Sequence, residues 1–107
     1  MKGKEEVIAV VAKDKEAQFE ALRVALGAVL EDHKVDLYIL NHKIDFDYIK
    51  SICEECDEEF KDNLEFLMDM GGNLYSNVKE NEEYGFKTLS LEEIMEKLKE
   101  YSVVIPY

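Results

Sequence analysis

Proline, tryptophan and cysteine are scarce in this chain: 107 residues include one proline, no tryptophan and two cysteines. Two cysteines three positions apart offer no disulfide framework and fit a reducing compartment. Long apolar runs are missing as well. The longest, Val7 to Ala12, falls far short of the roughly 20 residues that a membrane-spanning helix needs. The opening MKGKEEVIAVVA is too short an apolar run for a signal peptide and has no small-residue cleavage pattern, so a cytoplasmic location is expected. Positive charge is outnumbered: 13 Lys and Arg against 25 Asp and Glu leave a formal net charge of −12. Such a surface repels nucleic-acid phosphates and anionic lipid headgroups, so neither nucleic acid nor membrane is expected as a partner.

What is present reads as one α/β domain spanning residues 1–107. Glu6 to Ala12 is a continuous β-branched run, the mark of a strand covered on both faces. Asp14 can cap the helix that follows, which runs to about Asp32. Phe19, Leu22, Leu26 and Val29 form one stripe of that helix, and Ala21, Val24, Ala25 and Ala28 a second, smaller-residue face. One side should meet the sheet and the other a neighbouring helix or another subunit, with Gly27 signalling close packing. Lys34 to Leu40 is the second strand. A long helix is expected from about Asp45 to Met70, ended by Gly71-Gly72 as a left-handed cap. Asn73 to Val78 is the third strand, and a loop of about ten residues containing Gly85 follows. Ser90 and Glu93 form a capping box for a last helix striped by Leu91, Ile94, Met95, Leu98 and Tyr101. Ser102 to Pro106 closes the chain as a buried strand. The expected order is β-α-β-α-β-α-β, a three-layer α/β/α sandwich with a mostly parallel sheet.

In such a sheet, ligands bind just past the carboxyl ends of the strands. That edge gathers Lys13 and Asp14 after the first strand, Asn41 and His42 with Lys43 after the second, and Ser76 and Asn77 after the third. Polar loops facing water explain the same residues more blandly. Histidine is the residue type suited to general-base work near neutral pH, and His42 is the better candidate by position; His33 lies at the opposite edge and is expected to be solvated. The motif Cys53-Glu54-Glu55-Cys56 invites a redox or persulfide reading. A redox CxxC sits at a helix amino terminus, however, whereas this one is expected about two turns inside a helix, ringed by acids that disfavour a thiolate. Both sulfurs fall on the apolar stripe between Ile49 and Phe60, so packing is the expected role. No second CxxC or His pair completes a zinc site except by symmetry across a dimer, the calcium-loop spacing is missing, and no phosphate loop follows a strand. No cofactor and no metal is expected. The acidic runs Cys53 to Phe60 and Lys79 to Tyr84 read as solvated faces.

The succession VIAVVA, ALRVALGAVL, KVDLYIL, LMDMGGNLYSNV, a loop with Gly85-Phe86, SLEEIMEKLKEY and SVVIP resembles the small DsrE/DsrF-like proteins, relatives of the sulfur-relay subunits of the TusBCD type, over nearly the whole chain. The resemblance implies a small α/β subunit that associates into dimers, trimers or hexamers, with a sulfur-relay protein as a possible partner. Sulfur-carrying members of the family place a cysteine just after the third strand. The matching positions here are Ser76 or Asn77, and a serine hydroxyl cannot hold a persulfide.

Three functions are therefore open. The favoured one is a DsrE-like subunit without the family cysteine, serving as a structural, regulatory or small-ligand-binding partner in sulfur metabolism. The others are a sulfur (persulfide) carrier or sulfurtransferase using Cys53 or Cys56, and a small enzyme acting on an anionic substrate through His42.

Overall fold

The computed structural model describes residues 7–107. Its elements in chain order are β1 (Val7–Ala12), α1 (Gln18–Leu30), β2 (Lys34–Ile39), α2 (Phe46–Ile52), α3 (Cys56–Asp69), β3 (Leu74–Ser76), a 3₁₀ helix (Lys79–Tyr84), β4 (Lys87–Thr88), α4 (Leu91–Leu98) and β5 (Val103–Pro106). The five strands form one sheet in the order β4-β3-β2-β1-β5, and every neighbouring pair is parallel. The expected β1 began at Glu6, which lies outside the described residues.

Alternating strand residues sort the core into two layers. Ile8, Val10, Ala12, Val35, Leu37, Ile39 and Leu74 pack with α1 and α3 residues such as Phe19, Leu22, Phe60 and Leu67. On the other face Ala9, Val11, Tyr38, Leu40 and Tyr75 pack with Ile94 of α4. The strand period of two thus produces the sandwich, and β1 and β2, covered on both faces, have no room for polar alternation.

The ends of the helices follow from local chemistry. Ser90 Oγ accepts from Glu93 N at 3.0 Å while Glu93 Oε1 accepts from Ser90 N at 2.9 Å, the expected capping box. At the end of α3, Gly72 N–H donates to Leu67 O (2.9 Å) and Gly71 N–H to Met68 O (3.0 Å), with Gly71 at φ 93°. That is a Schellman cap, which needs the left-handed backbone that glycine adopts freely. Asp14 Oδ1 accepts from Ala17 N at 3.2 Å, so it closes the turn before α1, which itself begins at Gln18.

Several expectations are corrected. The helix expected from Asp45 to Met70 is two helices, broken at Cys53, whose backbone is extended (φ −157°, ψ 157°). A continuous helix would set Glu54 against Glu58 and Glu55 against Glu59 at i,i+4, where like charges repel. The break instead puts Asp57, Glu58 and Glu59 in the first turn of α3, where the helix dipole favours negative charge. The expected order also lacked β4: residues 78–87 are mostly the 3₁₀ helix and the start of a strand added to the sheet edge beyond β3. The strand expected to be buried at the end of the chain is the opposite edge, with Val103 37% and Val104 40% exposed. Gly27 faces open space, with no atom within 4 Å of a Cβ built on it, rather than the close packing expected.

Two glycines therefore respond oppositely to substitution. Gly27→Ala should raise stability by about 0.5–1 kcal/mol, because mid-helix glycine carries a backbone-entropy cost and nothing obstructs the methyl. Gly72→Ala would set its Cβ 2.6 Å from the Val35 carbonyl oxygen and should cost about 1–3 kcal/mol. Thermal unfolding of the two variants checks both signs.

Candidate functional site

The sheet register brings the expected site residues to one edge. Ala12 pairs with Ile39, Ile39 with Ser76, and Ser76 with Thr88, so four strands finish level and the loops after them share a rim. Lys13 and Asp14 are exposed on it. Asn41 holds a left-handed backbone (φ 70°), a conformation asparagine tolerates better than most residues. That turn points Asn41 N–H at Asn77 Oδ1 (2.8 Å), and Asn77 Nδ2 returns a bond to Asn41 Oδ1 (3.1 Å). The two rim asparagines thus bind each other and tie the loop after β2 to the loop after β3.

His42 is half-buried, and both ring nitrogens face acceptors, so the neutral ring donates to one of them and only the protonated ring donates to both. Nδ1 lies 3.0 Å from Leu40 O and Nε2 3.2 Å from Gln18 Oε1. Gln18 is fully buried in the first turn of α1, and its Nε2 donates to Asp45 O (3.3 Å). Asp45 in turn caps α2 by accepting from Tyr48 N at 2.9 Å. That bond, helped by Lys15, holds the Asp45 carboxyl below the ordinary carboxylate value. The imidazole is therefore a strut between α1 and the β2–α2 loop.

Ser76 is fully buried, and its Oγ accepts from Val78 N (3.0 Å) and from Asn81 Nδ2 (3.1 Å). Asn81 is the residue that sequence reasoning missed. It lies in the run KENEEY, whose acids are exposed as expected, but it is itself fully buried. Its Nδ2 also donates to His42 O (3.1 Å), and its Oδ1 accepts from Ile44 N (2.9 Å). The only available signal was an uncharged amide among charged neighbours.

A second polar cluster lies toward the other ends of the strands, on the α4 face. Asp36 in β2 is 4% exposed. Its Oδ1 accepts from Asn73 N (2.8 Å) and Nδ2 (3.1 Å), and its Oδ2 from Tyr101 OH (2.5 Å). Tyr101 OH is also 2.8 Å from Tyr38 OH. Burial pushes the Tyr38 phenol up to about 12, and burial together with Asp36 raises Tyr101 further. Both phenols thus stay protonated at neutral pH, which fits Tyr101 as a donor to the carboxylate. A cavity of about 280 Å³ opens beside this cluster, lined also by Tyr75, Lys97 and Glu100. Sequence reasoning missed Asp36 as well; the available signal was an Asp inside an apolar strand run.

Cys53 and Cys56 are brought together, but not as expected. They form a disulfide at the α2–α3 break. Cys56 is the first residue of α3 and 5% exposed within the core, so its packing role stands. Cys53 is exposed and packs no core. The motif is at a helix amino terminus rather than inside one, because the helix breaks there. Among the described residues no group of His, Cys, Asp and Glu is arranged to hold a metal ion, and no helix is long and apolar enough to cross a membrane.

Truncating the buried amide tests which rim residue matters most. Asn81→Ala orphans Ile44 N–H, His42 C=O and a partner of Ser76, and should cost at least about 2 kcal/mol, given about 1–3 kcal/mol for each buried group left unsatisfied. Asn77→Ala, whose bonds are exposed, should cost under about 1 kcal/mol. Urea unfolding of the two variants measures the difference.

No family model, curated protein or solved structure matches this chain, and what the rim can do rests on its own chemistry.

Proposed function

We propose that this chain is a DsrE-like subunit that acts by association, as a structural, regulatory or small-ligand-binding partner in sulfur handling, and not by covalent chemistry at its rim. The observation that carries the reading is Ser76. Ser76 or Asn77 matches the position where sulfur-carrying members of the resembling family place their cysteine; the Ser76 side chain is fully buried with its oxygen already accepting two hydrogen bonds, and Asn77 carries an amide bonded to Asn41. A nucleophile needs a base within reach. His42 reaches Ser76 only through its backbone carbonyl and Asn81, while its ring nitrogens face Leu40 and Gln18. The same engagement weighs against an enzyme built on His42.

Association is supported by the surface. β5 is an edge strand whose sequence, VVIP, carries no charge to discourage pairing. Among the described residues of the strand, Pro106 alone blunts it. Val104, on the α4 side of the sheet by its pairing with Ala9, is 40% exposed, and Met95 of α4 is 63% exposed. A second copy laid along β5 would satisfy the open backbone edge and cover apolar side chains together.

Sedimentation at micromolar concentration tests this. The wild-type chain should sediment as an oligomer, and Val104→Lys should weaken the assembly by about tenfold or more by burying an unpaired charge at the interface. A wild-type monomer contradicts the association reading. An oligomer indifferent to Val104→Lys contradicts the β5 interface.

A further inference from the structure

We propose that Cys53 and Cys56 form a thiol–disulfide exchange site, with Cys53 as the sulfur attacked and with a preference for uncharged or cationic thiols over anionic ones. The two sulfurs are bonded at the α2–α3 break, one on each side of it in character: Cys53 exposed on an extended backbone, Cys56 buried in the core at the first position of the 14-residue α3. Burial fixes the order of events, because a partner sulfur can reach only Cys53. The departing sulfur, Cys56, leaves at the amino end of α3, where the helix dipole favours negative charge. Asp57, Glu58 and Glu59 in that first turn partly offset this benefit.

The step balances as an exchange with a dithiol. One partner thiolate attacks Cys53 Sγ, the Cys53–Cys56 bond breaks, and its electron pair leaves on Cys56 Sγ, which takes a proton from water. The partner's second thiol loses its proton and attacks its own sulfur in the mixed disulfide, releasing Cys53 as a thiolate that is protonated in turn. The partner becomes a disulfide, and two electrons and two protons pass to this chain.

Selectivity comes from the charges at the entrance. Glu54 and Glu55 are exposed between the two cysteines, and Glu58 and Glu59 are exposed just beyond them. The basic side chains nearest in sequence are Lys50, in the last turn of α2, and Lys61, whose Nζ is drawn 5.0 Å over the Phe46 ring. An anionic thiolate approaching Cys53 therefore meets a surplus of negative charge, an effect that salt should screen.

The test begins with the oxidised wild-type chain. An uncharged dithiol should reduce it with its far-ultraviolet circular dichroism unchanged. The ratio of rate constants for uncharged over anionic thiols should exceed that of an uncharged CxxC peptide disulfide by about tenfold at low salt, and the excess should vanish in molar salt. Reduction only upon unfolding makes the bond structural and overturns the proposal; a ratio equal to the peptide's overturns the selectivity. The single-cysteine variants add an independent readout. With an uncharged dipyridyl disulfide, Cys53 in Cys56→Ser should react at least about tenfold faster than Cys56 in Cys53→Ser, following exposure. Equal rates overturn Cys53 as the attacked sulfur.

Discussion

Three segments of this chain meet on one side chain, the carboxamide of Asn81. A parallel sheet ends its strands level, so the loops beyond them crowd together with backbone donors and acceptors that cannot join the ladder. Asn81, rising from the 3₁₀ helix, supplies partners for the β2–α2 loop through Ile44 N and His42 O, and for the end of β3 through Ser76 Oγ. With these bonds made, His42 is placed against Gln18, and Asn41 against Asn77. The residues best suited to chemistry are thereby engaged with one another. Burial of the Asn81 and Ser76 side chains makes each of their bonds worth more and each loss costlier.

Toward the opposite ends of the strands a carboxylate does the equivalent task. Asp36 gathers donors from Asn73 at the start of β3 and from Tyr101 beyond α4, anchoring the segment that leads into β5. A buried charge is tolerable only when so surrounded. The two polar clusters fix the sheet at both ends, and the reactive feature of the chain lies outside them. The disulfide bridges the helix break where α2 and α3 meet, and neither cysteine takes part in the side-chain hydrogen bonds that hold the rim.

The fold was legible because its signals are local and strong. The run VIAVVA and its neighbours could be little else than covered strands, and Ser90 with Glu93, or Gly71 with Gly72, mark helix ends whose bonds the structure contains. The helix break at Cys53 was not legible, since Ile49, Cys56, Phe60 and Leu64 keep a helical period across it; only the repulsion among clustered acids pointed to a break. Gathering the rim residues along one edge needed only the parallel topology. Knowing that they bind each other needed Asn81, and an asparagine in an acidic run has the same composition whether it faces water or the core. The exposure of β5 was hidden for a related reason: an apolar strand reads as buried, whether by its own chain or by another.

Amide hydrogen exchange at Ile44 and Val78 tests most directly whether this rim is closed. Their N–H groups donate to Asn81 Oδ1 and Ser76 Oγ, outside any strand ladder. Protection close to that of Leu37 and Val10 in the central strands is expected, because opening the rim would require one buried and one part-buried bond to break. Exchange at the rate of an exposed loop would mean that the rim opens freely, leaving Ser76 and His42 available to a substrate.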